Sequence, residues 1–179
     1  MIEAITSIDI NILMFIREYF ANPLMDKIMV LISTLGNIGF IWILIGIILI
    51  VNKKYRAMGI VLIIALLIEV TVVDGIVKNL VQRDRPFLAF PEMKLLIEMP
   101  TSYSFPSGHT ASSFAAATVL GRYFRKYRYI AYGSAILMGF SRLYLFVHYP
   151  SDVIVGAIIG IICGIVAIEI AKYRRVKNN

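Results

Sequence analysis

The chain has two histidines, and both lie among residues that could move a phosphate group. Asp152 follows His148 by four residues, with Pro150 and Ser151 between them as a helix start. A histidine nucleophile needs a neutral ring nitrogen aimed at phosphorus. A carboxylate that reaches back to the other nitrogen would fix the tautomer and stabilise the positive ring that forms. His109 is then free to protonate a leaving oxygen and later to activate water. Lys78, Arg85 and Arg142 add three cations with no acidic cluster to match them. Three converging cations suit a phosphoryl group, whose charge is spread over its equatorial oxygens, and an arginine can grip two oxygens at once. Ser107 and Gly108 open a further helix, whose free N–H groups and positive end favour phosphate. The candidate set is therefore His148, His109 and Asp152 for catalysis, and Lys78, Arg85, Ser107, Gly108 and Arg142 for the phosphate.

Those residues fall in three separated segments, so the elements around them must bring them together. Ile5, Ile8, Ile12, Phe15, Ile16 and Tyr19 recur at helical spacing over 4–20, interrupted by Asp9, Asn11, Arg17 and Glu18. That predicts an amphipathic helix lying in a membrane interface, with a short first span as the alternative. Apolar stretches then predict spans over about 28–51, 57–77, 107–122, 129–147 and 152–171, most of them near the ~20 residues that cross hydrocarbon. The first is interrupted at Gly36–Asn37, where a kink is expected. Residues 79–105 form a long loop containing Pro86, Pro91 and Pro100. The expected fold is an all-α polytopic membrane bundle of about five transmembrane helices in a single domain. The alternation required of barrel strands is absent. Five alternating spans put the three chemical segments at one membrane face.

Composition points the same way. Hydrophobic residues make up 59% of the 179 and charged residues 16%, against roughly a quarter charged in soluble chains. The net charge of +7 would fit nucleic acid, but the basic residues sit in clusters at 53–56, 122–128 and 172–177. These clusters hold eleven of the eighteen Lys and Arg and mark a cytoplasmic side. The candidate site therefore faces the extracytoplasmic side, in a bacterial plasma membrane on this reading. Nucleic acid is not an expected partner. The single Cys163 lies in an apolar run, so neither a disulfide framework nor a multi-cysteine metal site is available. No metal or organic cofactor is implied. The first residues lack the basic stretch of a signal peptide.

The motifs KxxxxxxRP (Lys78, Arg85, Pro86), PSGH (Pro106 to His109) and SRxxxxxHxxxD (Ser141, Arg142, His148, Asp152) together resemble the signature of the type 2 phosphatidic acid phosphatase superfamily. The resemblance implies a helical bundle and a metal-independent lipid phosphatase that passes through a phosphohistidine. It makes His148 the nucleophile, Asp152 its orienter and His109 the acid and base. By family analogy the expected substrate is undecaprenyl diphosphate, with phosphatidylglycerol phosphate and phosphatidic acid as alternatives. The usual membrane members have six spans, and this chain lacks a full first one. An oxidoreductase of the vanadium haloperoxidase kind and a non-catalytic lipid-binding or transport protein are the rival classes. Apolar spans oppose the first, and intact His109, His148 and Asp152 oppose the second. The oligomeric state stays open.

Other features carry paired readings. Asp74 lies one turn before Lys78 and is expected to pair with it, as Glu169 is with Lys172. Glu69, within a span, is a costly charge of the kind that often serves function. Arg83 and Asp84 read equally as headgroup contacts or solvated loop charges. Gly156, Gly160 and Gly164 predict close helix packing, within the monomer rather than between copies. Ala111, Ala115 and Ser112 mark the third span as a central helix. Phe87–Phe90 and Leu95–Ile97 read equally as a lipid-interface patch or as a loop packed on the bundle.

Overall fold

The computed structural model describes the backbone of residues 2–177 and the side chains of residues 5–174 and 177. The side chains of Arg175 and Val176, part of the last basic cluster, lie outside the described residues. Among the described residues all regular structure is helical. Helix α1 runs Ile2–Phe20, α2 Pro23–Leu35 and α3 Phe40–Val51. Helix α4, Arg56–Val70, continues through a π-helical stretch, Thr71–Val77, into α5, Lys78–Val81. A short α6, Pro86–Ala89, interrupts the long loop, and α7 (Gly108–Tyr123), α8 (Arg128–Tyr144) and α9 (Pro150–Lys177) complete the bundle.

Two helical stretches are long and apolar enough to cross a membrane alone: Arg56–Ala89, taken through its breaks, and Pro150–Arg174. Helices α2 and α3 make a third if they are one span bent by 51°. The bend falls at Gly36–Gly39, where Asn22 has already capped the start of α2 by accepting from the Leu24 and Met25 N–H groups. Ile38 (φ 55°) and Gly39 (φ 68°) both sit in the left-handed region, so the helix cannot run through. Helices α7 and α8 have 16 and 17 residues. α7 packs on α3, α4, α8 and α9, so it touches protein where other spans touch lipid. Small residues suit that position: Ala111, Ala115, Ala116 and Ala117 are fully buried.

The glycines of α9 set its distance from α7. A Cβ on Gly160 would stand 2.2 Å from the Ala111 carbonyl oxygen, one on Gly156 2.7 Å from that of Ser107, and one on Gly164 2.7 Å from the Thr118 Cβ. The two backbones are in contact, and dispersion along the seam holds them. The expected intramolecular packing role is thus the one the glycines perform. On the far side, Trp42 of α3 donates its indole N–H to Ser113 Oγ at 2.9 Å, which ties α3 to α7.

One expected boundary needs correction, and two other expectations gain detail. Residues 145–147 were expected to extend the fourth span, but α8 stops at Tyr144 and Phe146 takes φ 60°. That tight corner returns the Val147 N–H to the Arg142 carbonyl. Helix α1 forms over the expected stretch, but its packed stripe is Asp9, Leu13 and Ile16, while Ile8, Ile12 and Phe15 face outward. In a lipid solvent apolar side chains need no protein cover, so a polar residue can take the inward position. Finally, the 87–97 loop is packed on the bundle. Phe87 is buried, and Phe90, Leu95, Leu96 and Ile97 pack against the cluster of Leu13, Met29, Tyr144 and Phe146.

Candidate active site

A cavity of about 1160 Å³ opens between the bent α2–α3 pair, α4, the 96–102 loop, the head of α7 and the end of α8 with His148 beyond it. Lys78, Arg85, Gly108, His109, Arg142 and His148 all line it, so six of the eight candidates meet there. Asp152 and Ser107 stand behind that wall, both fully buried. Ser107 is the N-cap of α7: its Oγ accepts from the Thr110 N–H and hydroxyl. Its hydroxyl thus caps the helix whose head faces the cavity.

Each cation is delivered by a local feature. The π-helical stretch shifts the register just before Lys78, a device often found at functional sites. Lys78 pairs with Asp74 at 2.5 Å as expected, and its ammonium lies 3.7 Å from where a Cβ on Gly108 would sit. Gly108 thus places the head of α7 in contact range of the Lys78–Asp74 pair. Arg85 is 4% exposed and donates to the Ser102 carbonyl (2.7 Å), the Val147 carbonyl (2.7 Å) and Ser102 Oγ (3.1 Å). Arg142 donates to Ser33 Oγ on α2, and its Nε is buried without a partner. Neither Arg85 nor Arg142 has an ion pair to a carboxylate among the described residues. Two buried guanidiniums facing a cavity without counter-charge are a strong anion receptor.

The tautomer of His148 follows from its neighbours. Arg85 Nη1 lies 3.2 Å from His148 Nε2. A guanidinium has only donors, so Nε2 must accept, and the ring proton must reside on Nδ1. Nδ1 faces Asp152 Oδ2 at 3.5 Å, too long for a good hydrogen bond. Burial pushes the His148 ring down to about 3, with Arg85 and Arg142 adding to it against the pull of Asp152. The ring is thus neutral, with its Nε2 lone pair accepting from Arg85 at the cavity wall. Asp152 is held by Ser104 Oγ (2.5 Å) and the Tyr149 N–H (2.9 Å) on Oδ2, and by Arg83 (2.6 Å) on Oδ1.

His109 stands in the first turn of α7, its Nε2 3.0 Å from Asn37 Oδ1 in the bend between α2 and α3. Its ring packs over Gly36, where a Cβ would meet the His109 Cδ2 at 2.9 Å. The apolar part of the cavity wall includes Ile43, Ile63, Leu66, Leu67 and Val70. Glu69 also lines it, buried, with Oε1 unpartnered among the described residues.

Sequence reasoning missed Asn37, Asp9 and Arg83 as parts of this arrangement. Arg83, read as a headgroup contact or a solvated charge, does neither: it is locked between Asp9, Ser151 and Asp152. The only signal for Asp9 was its interruption of an apolar helical pattern.

These features have counterparts in known proteins. The chain is 31% identical over 155 residues to an undecaprenyl-diphosphatase of Sulfolobus acidocaldarius, a match covering 86% of this chain and 74% of that one. It is 30% identical over 148 residues to the undecaprenyl-diphosphatase BcrC of Bacillus subtilis, covering 80% and 73%. The crystal structure of Aquifex aeolicus LpxE superposes with a TM-score of 0.78 at 33% identity, covering 89% of this chain and 94% of that one. The PAP2 superfamily profile matches residues 54–175, which include every motif described above. With that match over more than half its length, the chain belongs to the PAP2 superfamily and is a membrane lipid phosphatase.

Proposed function

We propose that the protein removes the terminal phosphate of undecaprenyl diphosphate by way of a phosphohistidine on His148, at the extracytoplasmic face of a bacterial plasma membrane. The observation that carries the reaction is an acceptor-form His148 Nε2 paired with Arg85 on the same cavity as Arg142, both arginines buried and without an ion pair among the described residues. In the first step Arg85 turns its Nη1 hydrogen from Nε2 to a phosphoryl oxygen, the freed Nε2 lone pair attacks the terminal phosphorus and the bond to the bridging oxygen breaks. His109 enters this step as the imidazolium, gives one ring proton to the leaving oxygen and is left neutral. Asp152 stabilises the positive ring. Arg85, Arg142, Lys78 and the N–H groups at the head of α7 hold the phosphoryl oxygens. In the second step water attacks the phosphohistidine, His109 takes its proton, and His148 Nε2 leaves with its lone pair restored.

The lipid class is supported by the apolar wall, from Ile43 to Val70, which continues the same cavity. The polyprenyl diphosphate is supported by the Sulfolobus and Bacillus relatives, whose names specify that substrate. The outward orientation is supported by the basic clusters at the opposite ends of α3, α7 and α9.

Purified protein should release phosphate from undecaprenyl diphosphate, in the presence of chelator, faster than from phosphatidylglycerol phosphate or phosphatidic acid. Full activity of His148→Ala, or a strict need for added divalent metal, would overturn the mechanism. Preference for either phospholipid would overturn the substrate. A cysteine placed in loop 88–98 should label from outside intact cells, and labelling only after permeabilisation would reverse the orientation.

A further inference from the structure

The segment between the first two cations of the site carries a third, Arg83, which never reaches the cavity. Its guanidinium forks. Nη1 donates to Asp152 Oδ1 at 2.6 Å and to Ser151 Oγ at 2.7 Å, while Nη2 donates to Asp9 Oδ2 at 2.8 Å. The group lies flat over the Tyr149 ring, 3.8 Å from its centroid. Asp9, 3% exposed, also accepts from the Ser151 N–H at 2.9 Å and the Ser151 hydroxyl at 2.5 Å. A carboxylate, a guanidinium and a second carboxylate thus join α1, the 82–85 segment and the head of α9.

Asp152 is fully buried, and a buried carboxylate beside a neutral imidazole is costly without further partners. Arg83 supplies the positive charge and fixes Oδ1, leaving Oδ2 for the His148 side. Asp9 supplies the second anchor that stops the guanidinium from turning. Only a planar fork can serve both carboxylates and stack on Tyr149 at once.

We propose that Arg83 and Asp9 are positioning residues for the phosphatase reaction, and that α1 completes the active site by bracing Asp152 behind the nucleophile. This rests on His148 being the nucleophile. Arg83 also sets how strongly Asp152 draws a proton onto His148. The charged or titratable groups facing His148 are Asp152 from α9, Arg85 from the 82–85 segment, Arg142 from α8 and His109 from α7. None of these changes in an Arg83 variant. With Arg83 gone, Asp152 is unopposed on Oδ1 and holds a proton on His148 to higher pH.

The test uses full-length protein in detergent, with undecaprenyl diphosphate as substrate and folding checked by gel filtration and thermal melting. Arg83→Gln should lower kcat by about 10- to 100-fold with KM little changed, the size expected when the group orienting a catalytic pair is lost. The acidic limb of its kcat/KM profile should move to higher pH. Arg83→Lys, one point charge for two carboxylates, should recover only part of the loss. Asp9→Asn should lower kcat without moving the limb upward, because the charge it removes is negative. Should Arg83→Gln not fold, Arg83→Lys and Asp9→Asn carry the same comparison of kcat with KM. A folded Arg83 variant with wild-type kcat, a loss confined to KM, or an unmoved acidic limb would overturn the inference. An inactive wild type, or an active His148→Ala, would bring down the phosphatase mechanism and this inference together. Normal Arg83 variants beside a dead His148→Ala would bring down this inference alone.

Discussion

His148 and His109 face the same cavity from differently built walls. Around His148 the side chains of Arg85, Asp152, Ser104 and Asp9 are buried, Arg83 is mostly so, and each is tied to neighbours on other elements. Around His109 the ring is half-buried and its recorded side-chain partner is Asn37, in a bend where Ile38 is 93% exposed. A nucleophile must attack along one line, and a rigid cage serves that. A proton carrier must meet a leaving oxygen in one step and a water in the next, and a wall with one soft contact serves that.

Exchanging the histidines breaks the comparison most sharply. His148→Ala should cost at least about 10⁴-fold on any phosphoester, because the covalent path is gone. His109→Asn should cost about 10²- to 10⁴-fold on the lipid. It should recover much of that on p-nitrophenyl phosphate, whose leaving group needs no proton. Phosphate release on both substrates, with acid-labile phosphoenzyme trapped in parallel, distinguishes the roles. Equal losses on both substrates for His109→Asn would erase the division of labour.

The soft side has its own variant. Asn37→Leu should lower kcat about tenfold, the worth of one hydrogen bond to a polar group, with phosphoenzyme still formed. A loss as large as that of His109→Asn would mean the bend is as tightly built as the cage.

Two glycines sharpen the contrast in stability. A Cβ at Gly160 would press into the Ala111 carbonyl, whereas at Gly39 nothing lies within 4 Å and only φ 68° opposes a side chain. Gly160→Ala should therefore cost about 1–3 kcal/mol, and Gly39→Ala about 1 kcal/mol. Thermal melts in detergent rank them.

A last comparison is read as a slope. The His148 ring is held at about 3 by burial, against an ordinary value of 6.5. Between those values only the unfolded chain takes up the proton, so stability should fall as pH drops from 6.5 toward 3. The slope is at most about 1.4 kcal/mol per pH unit. His148→Gln should flatten it in melts across that range.

The same contrast explains what could be read from the residues alone. The cations, Gly108, both histidines and Asp152 were legible because fixed spacings place them at the ends of recognisable helices. The bend was legible because Gly36–Asn37 interrupts an apolar run. Asp9 was not: its partners, Arg83 and Ser151, lie 74 and 142 residues away, and no local pattern encodes such a contact. Arg83 was ambiguous for the same reason, since a loop charge is explained only by what folds against it. Ser107 was assigned to phosphate from its place beside Gly108; a serine at a helix start also serves as a cap, and its spacing to Thr110 carries that second use.

The glycine seam between α7 and α9 acts as a gauge block. The heads of those two helices carry His109, the proposed proton donor, and Asp152, behind the proposed nucleophile, and backbone meets backbone along the seam, with Gly156 against Ser107 and Gly160 against Ala111. Side chains can change rotamer, but a backbone contact has no slack to give. Displacement at phosphorus tolerates errors of only about an ångström. With the reacting distance cut into the main chain, the apolar wall from Ile43 to Val70 can be redrawn for a different lipid without retuning the chemistry.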